Sequence, residues 1–377
     1  MLQITTMLLA LLPLAQAFPT SPLQRLTARD AAKDQLDAYQ AEASANMKAI
    51  LGSRTSGCTL DNVIVRKEWN ALSLAERISY TDAVICLKSK APLTPPSVSP
   101  GTLSRFDDFQ ATHVNQSSWV HWSVYFLPWH RYLMHSYETA LRDECGYTGA
   151  HPYWEWSLNG GNISAQAMFS GEPGSFGGNG EAIPHGPVTL TIPTSPPRFA
   201  QVAAGTGGGC ITDGPFVNFT SNLGPFGPPL SDDAFEYNPV CISRDFRPAN
   251  LMANSGYANV TSTLASSDLD AFMVGMNSLH GNGHTSIGGL QGDLFASNGD
   301  PVFYLHHGQV DRLWSIWQAL DFENRKNQVS GTLTIMNTPP SELGTIDTVM
   351  DLGFNGGPKT AGELASTIDG DFCYIYE

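Results

Sequence analysis

The chain has ten histidines, at positions 113, 121, 130, 135, 151, 185, 280, 284, 306 and 307, and their spacing is uneven. In WVHWSVYFLPWHRYLMHSYE, residues 119–138, His121 and His130 stand nine residues apart in a strongly aromatic, apolar stretch. A buried imidazole is costly unless its ring nitrogens find hydrogen bonds or a metal. Downstream, LHGNGH places His280 and His284 at i and i+4, one above the other on a helical face. Phe272, Met276 and Leu279 lead into that face, so it points inward. PVFYLHHGQVDRLW then supplies His306 and His307. Here the i, i+4 rule stacks Phe303, His307 and Asp311, while His306 lies about 100° away around the axis. Asp311, one turn from His307, is expected to accept that ring's other N–H and fix its tautomer. Between the pair, His307 is therefore the expected ligand.

Any one of these histidines taken alone reads as a satisfied core or surface residue. His135, at i+5 from His130, and His151 and His185, in Pro-containing loops, are read in that way. Six inward-facing histidines on four helices are hard to explain as core filler. His113, His121 and His130, with His280, His284 and His307, make two clusters of three neutral imidazoles without cysteine or carboxylate, and such a donor set suits copper. A zinc hydrolase is the competing metal reading. HGNGH speaks against it, because Gly281 stands where H-E-x-x-H carries its general-base Glu.

The elements that must position these residues are legible from their end signals. Ser73 and Glu76 form an S-x-x-E capping box before Leu74, Ile78 and Ile85 at helical spacing. SRFDDFQATHV reads as a second helix, and Pro128 opens a longer one to about Glu144. Residues 266–280 form another, with Ser267 as the expected N-cap, and Asp300-Pro301 starts a last strong helix to about Leu320. Residues 28–51 read as an exposed, Ala-rich helix within an N-terminal extension, 18–57. Between 158 and 250 there are 15 glycines and 12 prolines in 93 residues, a loop-like composition. Nine aromatics spread through this stretch make it an ordered excursion packed on the core. The tail, 331–377, alternates and is expected to hold short strands.

Bulk properties bound the function classes. A net charge of −15 speaks against nucleic acid, whose binding depends on neutralising phosphates with Lys and Arg. Hydrophobic residues at 42% and aromatics at 10% allow a sizeable core in 377 residues. Residues 1–17, with a short apolar run ending in Ala15-Gln16-Ala17, fit a cleaved signal peptide. No other run is apolar and long enough to span a bilayer, so no membrane association is expected after cleavage. Sequons at Asn115, Asn162, Asn218 and Asn259 agree with secretion to the extracellular space.

Together these motifs resemble the type 3, or binuclear, copper proteins: tyrosinases, catechol oxidases and haemocyanins, and above all the short secreted fungal polyphenol oxidases. The resemblance is carried by His113 with HWSVYFLPWHR from His121 to Arg131, and by His280-x-x-x-His284 with DPVFYLHHGQVDRLW from Asp300 to Trp314. RKEW and AVICL upstream and CYIYE at 373–377 extend it over nearly the whole chain from Cys58. It implies a mainly α fold: a four-helix bundle holding a dicopper centre, surrounded by long irregular loops and a few short strands, in a single catalytic domain, 58–377. His113, His121 and His130 would hold copper A, and His280, His284 and His307 copper B. O2 would be the co-substrate and small phenols the partners. Phe303 matches the family's gate residue, a ring leaning over copper B.

Departures from the family bear on the activity. Many tyrosinases have Asn after the first copper B histidine, where it helps a Glu deprotonate monophenols. This chain has Gly281 there and Ala271 at the usual Glu position, nine residues before His280. The expected activity is therefore oxidation of o-diphenols to o-quinones, weak on monophenols. A tyrosinase with full monophenolase activity and a haemocyanin-like O2 binder are the alternatives. Trp119 replaces the cysteine that some members crosslink to a copper A histidine, and no C-terminal shielding domain is expected. Six cysteines allow fifteen pairings. Cys210–Cys241 is expected to brace the excursion, with Cys58–Cys373 and Cys86–Cys145 as a guess for the others.

Overall fold

The computed structural model describes residues 22–192 and 196–377, so the signal-peptide expectation for 1–17 lies outside the described residues. Four helices carry seven of the ten histidines, and each begins where local chemistry permits. Helix α3 (Arg105–Val120) starts at Ser104, whose hydroxyl accepts from the Asp107 N–H. Helix α4 (Phe126–Cys145) starts two residues before Pro128, whose missing N–H costs nothing in a first turn, and closes at Gly146 in the left-handed region. Helix α7 (Leu269–Ile287) is capped by Asp268, which accepts from Ala271 N–H at 2.9 Å. The expected cap, Ser267, instead donates its hydroxyl to that carboxylate. Helix α8 (Val302–Ala319) is buried along its entire length, and Gln309, Asp311, Arg312 and Gln318 on it are all hydrogen-bonded to other elements.

The surrounding helices complete one core. Helix α2 (Leu74–Ser89) has the expected capping box and packs on α3 and α4. Short helices α5 (Pro248–Ser255) and α6 (Tyr257–Leu264) back α7. Helix α1 (Pro22–Gly52) corrects the expectation of an exposed helix: Leu36, Ala43, Met47 and Leu51 share one buried stripe against α6 and α8. Asn46 adds a hydrogen bond to the Ala319 carbonyl at 3.0 Å.

Strands among the described residues are few and form two-stranded pairs. Ile64–Arg66 pairs in parallel with Tyr374–Tyr376, and Cys58–Cys373 ties the same place covalently. The excursion at 158–250 carries an antiparallel hairpin, Val188–Ile192 with Arg198–Val202. Its Phe169, Phe176, Phe216, Phe219 and Phe246 are buried in the main core, which explains how so loop-like a composition stays ordered. Cys210–Cys241 and Cys86–Cys145 complete the expected set of three disulfides. The molecule is thus mainly helical, with seven of its ten histidines on helices and long irregular loops around them.

Candidate metal centre

The ligand-bearing elements aim seven histidines at one another. Side-chain nitrogens of His113, His121 and His130 lie within 4.8 Å of each other, as do those of His280, His284, His306 and His307. His113 is on α3, His121 follows that helix's last turn, His130 is on α4, His280 and His284 share a face of α7, and His306 and His307 are on α8. The two groups adjoin: His130 and His307 stack at 4.2 Å between centroids, 9° from parallel.

Hydrogen bonds set which ring nitrogen is free. Nδ1 of His113 meets the Phe295 carbonyl at 2.7 Å, that of His121 the Ser117 carbonyl at 2.9 Å, and that of His130 the Phe126 carbonyl at 2.7 Å. Nδ1 of His284 meets the Gln291 carbonyl at 2.9 Å. A carbonyl only accepts, so in these four rings Nδ1 carries the proton and the Nε2 lone pair is left for a metal. Nε2 of His113 and of His130 is buried with no hydrogen-bond partner. Nε2 of His280 stands 3.0 Å from Nε2 of His284 and 3.3 Å from Nε2 of His307. Converging acceptor nitrogens of this kind are what a bound cation would reconcile.

Burial keeps the rings neutral. Desolvation lowers His121 and His284 to about 4, and lowers His113, His130, His280 and His307 well below the ordinary histidine value, with neighbouring imidazoles adding to the effect for these four. The hydrogen bonds that the rings of His113, His121, His130 and His284 make outside the cluster go to carbonyl, amide or hydroxyl oxygens, with no carboxylate among these partners. Neutral, dry, all-nitrogen triads fit copper better than magnesium or calcium, which take oxygen ligands.

His306 sits in the second group but is differently bonded. Trp156 donates its indole N–H to His306 Nδ1 at 3.1 Å. Indole is a donor only, so the neutral ring carries its proton on Nε2 and has no lone pair left for a metal. Its ring also packs against the backbone of α7 at Gly283, where a Cβ would come within 2.3 Å of its Cε1. This chemistry favours His307 as the third member of that triad.

Two expectations need correction. Asp311 does not touch His307, whose Nδ1 has no partner. Its oxygens are taken by Arg131 Nε at 2.6 Å, Tyr374 hydroxyl at 2.7 Å, Tyr376 hydroxyl at 2.6 Å and Arg66 at 3.4 Å. Two guanidiniums and two phenols outcompete an imidazole for one carboxylate. Asp311 is therefore an anchor joining α4, α8 and the terminal strand beside His130 and His307. Phe303 does not lean over the site from outside: it is 0% exposed and wedged between the triads, 5.0 Å from His113 and 4.2 Å from His307. A ring enclosed on all sides offers a substrate no face.

Gly281 is partly exposed beside His280, with nothing within 4 Å of where a Cβ would stand. Ala271 is exposed in the first turn of α7, roughly 13 Å along the axis from His280 at 1.5 Å per residue. Asn282 is committed elsewhere, donating to Ser255 Oγ at 2.7 Å, and Asp270 accepts from Ser330 at 2.5 Å. The remaining histidines stay apart. His151 bonds the Tyr304 carbonyl, His185 bonds Asp245, and His135 packs on Phe372. Sequence reasoning missed Trp156, in a turn, and Gln291, in the single 3-10 turn Gly289–Gly292, neither of which gives a periodic signal. Gln291 holds its amide in place by donating to the Asp300 carbonyl at 3.0 Å while its oxygen meets His284 at 3.0 Å.

Residues 103–320 match the family described as the common central domain of tyrosinase. The N-acetyl-6-hydroxytryptophan oxidase of Emericella nidulans is 37% identical over 348 residues, covering 85% of this chain and 94% of that one. Tyrosinase P of Aspergillus terreus is 36% identical over 340 residues, 84% and 92% of the two chains. The solved structure of a Gly-to-Asn variant of polyphenol oxidase from Thermothelomyces thermophila superposes with a TM-score of 0.86 at 37% identity, covering 91% of this chain and 98% of that one.

Proposed function

This chain belongs to the tyrosinase family, whose members bind two copper ions and use O2, and we propose that it oxidises o-diphenols to o-quinones and acts weakly on monophenols. His113, His121 and His130 would hold one copper, and His280, His284 and His307 the other. When bound, the pair of coppers supplies the binding of O2 and the passage of electrons to it from the phenol. In balance, two catechols and one O2 give two o-quinones and two waters. The protein's own part is to fix Nδ1–H on four of the six ligand rings through carbonyls, to hold the triads together through the His130–His307 stack, and to keep water from the interior with Phe126 and Phe303.

The preference for o-diphenols rests on one observation: the space beside Gly281 is open, with no carboxylate among the described residues hydrogen-bonded to His280, His284 or His307. A monophenol arrives protonated, and a positioned base is typically worth about 10²–10⁴-fold. A catechol needs less help, since both its hydroxyl protons leave as electrons are withdrawn. The relative named as an N-acetyl-6-hydroxytryptophan oxidase supports a hydroxylated aromatic ring as the general substrate feature. Quinone formation from 4-methylcatechol, lost on copper removal and regained on reloading, tests the reading. Absence of quinone from the copper-loaded protein would refute it.

Secretion is part of the same proposal. It is supported by three disulfides, which persist in oxidising compartments, and by the exposure of all four sequon asparagines. No helix among the described residues is long and apolar enough to cross a membrane.

A further inference from the structure

Among the described residues, four non-glycine positions have positive φ, and three of them meet in one place: Trp122 at 46°, Met336 at 49° and Asn337 at 54°. A bulky residue is disfavoured there and stays only where its surroundings hold it, a kind of strain that gathers at ligand clamps and active sites. Trp122 directly follows His121, and their ring centroids are 6.0 Å apart. The Met336 amide donates to the Trp122 carbonyl at 3.0 Å.

The surrounding loop is built to hold this contact. Residues 331–344 close on themselves, with Gly344 N–H donating to the Gly331 carbonyl at 3.0 Å and Leu333 N–H to the Glu342 carbonyl at 3.0 Å. Val124 N–H donates to the Thr332 carbonyl at 3.1 Å. Both glycines press on Val124: a Cβ at Gly331 would stand 2.7 Å from its nitrogen, and one at Gly344 2.3 Å from its Cγ2. The loop is thereby clamped onto the turn that carries His121, with the Met336 backbone bonded to that of Trp122.

The chemistry of this surface is apolar. Trp122, Ile335 and Met336 are partly exposed, whereas His121, Phe126 and Phe303 behind them are buried. Turn 121–125 and loop 331–344 contain one acidic residue, Glu342, and no Lys or Arg. We propose that Trp122 and Met336 form a hydrophobic shelf beside the His121 ligand, which binds a flat, uncharged aryl substituent of the phenol and so sets substrate preference. The proposal rests on the reading of the enzyme as an o-diphenol oxidase. An indole face and a thioether both suit a ring laid against them.

The test compares catechol with 4-phenylcatechol on copper-loaded wild type, Trp122→Gly, Trp122→Phe and Met336→Ala. Glycine adopts a φ of 46° without strain, so Trp122→Gly is expected to fold, and metal analysis confirms both coppers. The ratio of kcat/KM for 4-phenylcatechol over catechol should fall by about tenfold or more in Trp122→Gly, chiefly through KM, and less in Met336→Ala. Trp122→Phe, which keeps a ring, should largely retain it. A merely structural role would lower both substrates together and leave the ratio unchanged, and that result overturns the shelf. If wild type fails to oxidise catechol, the o-diphenol reading fails first. Equilibrium dissociation constants for the same two compounds, in the same variants, then test the shelf by the same ratio.

Discussion

Trp156 donates its indole N–H to Nδ1 of His306 at 3.1 Å, and this bond separates two histidines that adjoin in sequence and in space. His307 has its Nδ1 without a partner and its Nε2 facing His280. His306 has its lone pair already used. Grouping by distance alone would place both in one metal site, and only the donor–acceptor chemistry distinguishes them.

His307→Ala is therefore expected to lose one of the two coppers and to abolish turnover, while His306→Gln keeps both. Metal analysis of the purified variants reads this directly. Loss of copper from His306→Gln together with retention in His307→Ala would reverse the assignment.

Asp311 gives a second prediction, because its two possible roles differ in what fails. As an anchor for Arg131, Arg66, Tyr374 and Tyr376, its replacement in Asp311→Asn leaves buried guanidiniums short of charge and should cost about 3–5 kcal/mol in urea unfolding. Copper affinity should change little. A drop of about 10–100-fold in affinity with unchanged stability would instead fit a residue that orients His307.

The same network predicts an acid limit to stability. Burial alone would raise the Glu138 carboxyl, but Arg66, His151 and Arg142 hold it down at about 2 against an ordinary 4.5. As pH falls the unfolded chain takes up this proton first, so the contribution is complete above 4.5 and is lost as pH drops toward 2. Urea midpoints of wild type should fall through that window, and those of Glu138→Gln should fall less steeply. Parallel curves would remove Glu138 from the explanation.

Two glycines on one helix should respond oppositely. Gly281→Ala meets open space and should stabilise by about 0.5–1 kcal/mol, as expected for glycine in a helix interior. Gly283→Ala places a methyl 2.3 Å from the His306 ring and should destabilise by about 1–3 kcal/mol. Gly281→Asn should also fold, and should raise monophenol turnover by less than the roughly 10²–10⁴-fold of a complete acid–base device. Thermal melts and initial rates with tyrosine check the three variants. Equal destabilisation by both alanines would show that the space beside Gly281 is not open.

How much was legible in the sequence follows from the range of the interactions involved. His280 and His284 could be paired because i, i+4 spacing is local, and the Phe303 and His307 rings do adjoin, with centroids 4.2 Å apart, as that rule requires. Asp311 was misassigned because its four partners lie on α4 and the two terminal strands, and no local rule sees that far. Phe303 was given the right neighbour and the wrong side, since periodicity places a ring on a face and does not say what covers it. The buried stripe of α1 was hidden for another reason: Ala and polar residues between Leu36, Ala43, Met47 and Leu51 dilute the helical pattern until packing reveals it. Trp156 and Gln291, which set the tautomers of His306 and His284, sit in short turns whose partners only the fold supplies.

The central claim is a dicopper oxidase that handles o-diphenols far better than monophenols. Oxygen uptake by the copper-loaded protein, measured with 4-methylcatechol and with 4-methylphenol at matched concentrations, tests it most directly. The expected result is rapid uptake with the catechol, and uptake slower by about 10²-fold or more, after a lag, with the phenol. Comparable rates without a lag would contradict the account and require a base near His280 that the present geometry does not supply.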